Sequence, residues 1–110
     1  MILTLDRKIT PEEFKQAQEV YSDYIKTVID IEKNIMVVGG EYHIDCEEVL
    51  IRSGSKPENL FGGGFRVSTR EVEYMAMSNY KPALGKTTYE IMDENARNKL
   101  KELTEKYLII

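Results

Sequence analysis

The stretch "IKTVIDIEKNIMVVGG", Ile25 to Gly40, decides the fold. Its first half is rich in β-branched residues and alternates, with Ile25, Thr27, Ile29 and Ile31 on one side of an extended chain. Lys33-Asn34 then offers a tight turn, because asparagine tolerates a left-handed backbone. "IMVV", Ile35–Val38, returns as the antiparallel partner and ends at Gly39-Gly40. Its apolar residues fall on both sides, which suits a strand near the middle of a sheet.

Outward from this hairpin, "ILTL" at residues 2–5 reads as a short strand. "TPEEF" is a helix start, with Thr10 as N-cap, Pro11 in the first helical position and Glu13 closing a capping box. Phe14, Ala17, Val20, Tyr21 and Tyr24 recur at helical spacing and extend that helix towards the hairpin. Beyond Gly40, Asp45 and Glu48 form a second capping signature, and Gly54 is placed to stop a helix over 46–53. Cys46, Val49, Leu50 and Ser53 share one face of it, although "VLI" alone reads equally well as strand. Ser55 with Glu58 suggests one further turn through Leu60.

"GGGFRV", "STR" and "EVEYMAMSN" give a second hairpin, with Val72, Tyr74 and Ala76 on one side. "YKPALGKTTYEIM" reads as a loop with a short extended end. Asp93 caps a last helix whose Ala96, Leu100, Leu103 and Tyr107 make one stripe. The order β-α-β-β-α-β-β-α specifies an α+β fold: an antiparallel sheet of four to five strands with two to three helices packed on it. Three amphipathic helices are expected to share a single apolar face of that sheet.

At 110 residues the chain reads as one globular domain over 1–110, large enough to hold its core without metal or disulfide. Its single cysteine suits a reducing, cytoplasmic setting. No apolar run reaches the roughly 20 residues of a membrane span, and "MILTLDRK" is too short an apolar run for a signal peptide. A net charge of −4, from 15 basic and 19 acidic residues, argues against a nucleic-acid binder that works through a basic stripe.

The chain's only histidine, His43, lies among Glu41, Asp45, Cys46, Glu47 and Glu48. With no second histidine, zinc lacks its usual donors, and only an oxygen-rich magnesium or manganese site would be conceivable. The plainer reading makes Asp45 and Glu48 helix caps and leaves Glu47 solvated, so neither metal nor cofactor is expected. Cys46, at a helix N-terminus three residues after His43, raises a Cys–His nucleophile pair. It also occupies the apolar stripe, where a small buried thiol is ordinary. "GKTT", Gly85–Thr88, imitates the tail of a phosphate-binding loop but lacks the earlier glycine, since Tyr80 stands there. Gly62-Gly63-Gly64 reads as a turn or a place of close backbone approach. Asn79, Lys81 and Lys86 stand in a loop after a strand and are the candidate ligand-binding residues. His43, Glu41, Asp45 and Cys46 are the candidate catalytic ones.

"DYIKTVIDIEKNIMVVGGEYHIDCEEVL" (23–50), "GSKPENLFGGG" (54–64) and "NYKP" (79–82) together resemble a family of short, mainly bacterial proteins classed as a domain of unknown function. The chain departs from that family's pattern at Phe61, where tryptophan is expected, and at Lys81, where arginine is expected. The resemblance implies a compact cytosolic domain and carries no activity. The functional expectation is therefore a homodimeric binding or interaction module of unknown ligand, with the apolar "YLII" end either completing the core or docking on a second copy. A hydrolase or transferase centred on His43 is the alternative. It requires Glu41 or Asp45 to orient the ring, Asn79 or Lys81 to hold an anion, and the 39–45 and 79–86 segments to meet in one cleft. A nucleic-acid binder would need Arg52, Lys56, Arg66 and Arg70 on one face.

Overall fold

The computed structural model describes residues 1–109; the last residue of the "YLII" end lies outside them. The hairpin forms as its alternation requires. Strand β2 (Tyr24–Asp30) pairs antiparallel with β3 (Ile35–Val38), Val28 opposite Val37. Asn34 takes the left-handed backbone (φ 57°) in the turn, and the carboxylate of Asp30 accepts from the backbone N–H groups of Glu32 and Lys33. Gly39, at φ 87°, turns the chain out of β3.

Around this pair lie β1 (Leu3–Leu5), β4 (Leu60–Arg66) and β5 (Glu71–Glu73), in the order β1-β3-β2-β4-β5, every neighbour antiparallel. Helices α1 (Pro11–Ala17), α2 (His43–Arg52) and α3 (Glu94–Tyr107) complete the expected order. The α+β class holds, with five strands and three α-helices among the described residues.

The helices do not share one face. Phe14 and Ala17 of α1 and the Ala96–Leu100–Leu103–Tyr107 stripe of α3 pack on Ile25, Ile29, Met36, Val38, Phe61 and Phe65. Helix α2 covers the opposite face, placing Cys46 and Leu50 on Val28, Val37 and Leu60. The reason was already in β2 and β3: residues of both parities are apolar and fully buried, and a strand apolar on both sides needs cover on both sides.

Three local readings change. Helix α1 ends at Ala17, leaving Val20 and Tyr21 exposed, and Tyr24 opens β2 instead of continuing the helical stripe. Helix α2 begins at His43, three residues early. Its N-cap is Tyr42, with no side-chain cap, so Asp45 is a first-turn residue and Glu48 pairs with Arg52 four residues on. Ser55–Glu58 makes no capping box; a 3-10 turn over Pro57–Asn59, opened by Lys56, leads into β4. At the C-terminus Tyr107 and Leu108 are buried in the α1–α3 core, so that end completes the fold.

Candidate functional site

The three glycines lie inside β4, all buried, and serve close approach. Gly62 stands opposite Val28 and Gly64 opposite Lys26, on the face that α2 only partly covers. A Cβ on Gly62 would lie 2.8 Å from Ala76 Cβ, 3.0 Å from Ser78 Oγ and 3.3 Å from His43 Cδ2, while Tyr24 lies directly over Gly64. Bare backbone at these two positions lets the N-terminus of α2 and the 74–81 segment converge above the sheet.

Between them is an open cleft of about 760 Å³. Its floor and one wall are polar: His43 and Glu47 from the first turns of α2, Ser78, and Lys81. His43 and Glu47 are four apart and therefore share a helix face. Its rim is apolar and exposed: Tyr42, Ile44, Met75, Met77 and Tyr80 are 49–78% exposed.

Apart from Ser78 Oγ, which is buried without a hydrogen-bond partner, each of these polar side chains has a definite partner. His43 Nε2 lies 2.7 Å from the carbonyl oxygen of Gly63, and burial pushes the imidazole pKa down, with Lys26 adding to the effect. Because a carbonyl only accepts, Nε2 carries the proton and Nδ1 is left as an acceptor. Lys81 Nζ donates to Glu47 Oε2 at 3.0 Å and to the Ser78 carbonyl at 2.7 Å. Glu47, read from the sequence as solvated, is thus buried and paired. Tyr24 has its pKa raised to about 12 by burial and by the nearby Glu73 carboxylate. Lys26 donates to the Glu41 carbonyl and lies over the rings of Tyr21 and Tyr42.

The sequence candidates divide. His43 and Lys81 come together in the cleft, whereas Glu41, Asp45 and Cys46 do not line it. Cys46 is fully buried in the α2 core, where desolvation raises its thiol to about 11 and keeps it protonated at neutral pH. Asn79 lies below the cleft. Its amide pairs with both Gly62 N–H and Gly62 C=O and also donates to the Tyr89 carbonyl, replacing the neighbour that short β5 does not provide. Lys86 lies in a second hollow of about 500 Å³, over the Phe61 ring and within 3.3 Å of the Glu58 and Leu60 carbonyls. After Gly85 the chain continues as loop, so "GKTT" begins no helix. Arg52 is paired with Glu48, and Arg66 with Asp23 and Glu73. Lys56 precedes β4 and Arg70 follows it, beyond opposite ends of that strand.

Tyr24, Glu47 and Ser78 were not singled out from the sequence. Only Glu47 had an available signal, its i,i+4 spacing from His43, once the helix is started at residue 43.

Fold and cleft together define a small α+β domain whose antiparallel sheet is covered by helices on both faces. The chain belongs to the family described as Protein of unknown function (DUF5674), matched over residues 3–107. No curated protein and no solved structure matches it. No helix among the described residues is long and apolar enough to cross a membrane.

Proposed function

We propose that the chain is a binding module and that the cleft between α2 and the 74–81 segment is its ligand site. The observation that carries this is the gathering of exposed Tyr42, Ile44, Met75, Met77 and Tyr80 around one concavity. Monomeric domains seldom leave such apolar side chains contiguous without use. The volume falls in the range of small-ligand pockets, and methionines with tyrosines make an adaptable lining. A screen of neutral aromatic fragments, followed by backbone amide NMR, tests it. Shifts confined to residues 42–47 and 75–81, lost in Met77→Glu at unchanged Tm, are expected. Fragments that bind elsewhere, or equally well to the variant, contradict it.

A His43-centred hydrolase or transferase is the second reading, favoured by His43 and Lys81 lining one cleft. It is weakened because Lys81 is engaged by Glu47 and, among the described residues, no carboxylate orients the imidazole. Self-association would use the same rim, whose five side chains are about half exposed or more, as part of the roughly 800 Å² per partner of a standard interface. A wild-type dimer by light scattering that Met77→Glu converts to monomer, with no fragment bound, assigns the rim to a second copy.

A further inference from the structure

The cleft's charges and hydrogen bonds narrow what it takes, on the reading that it binds a ligand. Its two buried charges cancel, since Lys81 Nζ is held by Glu47 Oε2 and by the Ser78 carbonyl. An incoming anion would compete for the lysine and strand the buried carboxylate, and an incoming cation would strand the lysine. The other two charged residues of the lining are one of each sign: Lys26 is turned to the rim, bonded to the Glu41 carbonyl between two tyrosine rings, and Glu73 is held by Arg66.

Two polar atoms on the floor have no hydrogen-bond partner: Ser78 Oγ, which is itself shut off from the open cleft, and His43 Nδ1. His43 directs Nε2–H at Gly63 O, and burial favours the neutral ring, so Nδ1 is an unprotonated acceptor. Among the described residues no group donates to Nδ1, and His43 lines the cleft beneath the apolar rim. A ligand's donor would meet it without disturbing the lysine–glutamate pair.

We propose that the cleft takes a small, neutral aryl compound bearing an O–H or N–H donor, its ring among Tyr42, Ile44, Met75, Met77 and Tyr80 and its donor on His43 Nδ1. No bond is made or broken. The site reads a ring and one donor.

Titration with 4-methylphenol and 4-methylanisole, which share the ring and differ in the donor, tests this. The phenol is expected to bind about five- to tenfold tighter, the worth of one net hydrogen bond. The Nδ1 resonance of His43, unambiguous because the chain has one histidine, should move with the phenol and stay with the ether. H43A should bind both equally. H43Q, whose amide both donates and accepts, should keep a preference. The wild-type Nδ1 signal decides the matter if H43A folds poorly. Equal affinities with Nδ1 unmoved overturn the donor inference and leave the cleft intact. Tighter binding of 4-methylbenzoate or 4-methylbenzylammonium overturns neutrality. Failure of all four compounds to perturb cleft residues overturns the inference and the cleft reading together.

Discussion

Lys81 and Glu47 are 16% and 6% exposed, so each is far more costly alone than together. Lys81→Met should therefore destabilise the fold by about 3 kcal/mol in urea unfolding, through the stranded carboxylate. The double variant Lys81→Met/Glu47→Leu should recover most of the loss. A double variant no better than the single one would mean that the pair is not coupled. His43 supplies a pH signature. Its folded pKa lies below the ordinary 6.5, so the unfolded chain takes up the proton first. Stability is complete above about 6.5 and falls as the pH drops towards the folded pKa. His43→Gln should flatten that window. The acid loss tied to Glu13, whose pKa Arg7 lowers to about 2, should remain at lower pH. Gly62→Ala forces a methyl against Ala76, Ser78 and His43, and should cost about 1–3 kcal/mol while shifting His43 resonances.

At the scale of elements, the 74–81 segment stays on the sheet through Asn79 more than through β5, which pairs only with Gly64–Arg66. Asn79→Ala removes three hydrogen bonds, two of them to Gly62, and should cost about 2–3 kcal/mol and loosen that segment in hydrogen exchange. Exchange that rises globally, not locally, would show that Asn79 acts on the whole core. The Thr10–Glu13 capping box and the Asp93 cap were legible because both ends of those interactions lie within three residues. The start of α2 was not. Asp45 and Glu48 imitate a cap, while the actual cap, Tyr42, uses no side chain, and what fixes the helix is Cys46 and Leu50 on Val28 and Val37. Tyr24 misled similarly. Its spacing continued the α1 stripe, but its backbone pairs with Arg66, a partner 42 residues away.

For the whole molecule, the β2–β3 hairpin announced the sheet, and its apolar residues on both sides announced two covered faces. Assigning the helices to those faces depended on contacts between distant segments. The same limit hid the site. His43 was conspicuous as the one histidine, but Glu47 meets Lys81 across 34 residues, and Ser78 reaches the floor only because Gly62 has no side chain. Burial thus turned a plausible surface carboxylate into half of an ion pair, and turned Cys46 from a candidate nucleophile into core. Between α2 and the 74–81 segment the fold leaves open an apolar-rimmed cleft whose two buried charges are paired. The most direct measurement is a methyl spectrum of methionine-labelled protein titrated with 4-methylphenol. Met75 and Met77 methyls should move in a saturable way while Met36, fully buried across the sheet, stays fixed. Stationary Met75 and Met77 resonances, or equal movement of all five methionines, would contradict a ligand site in the cleft.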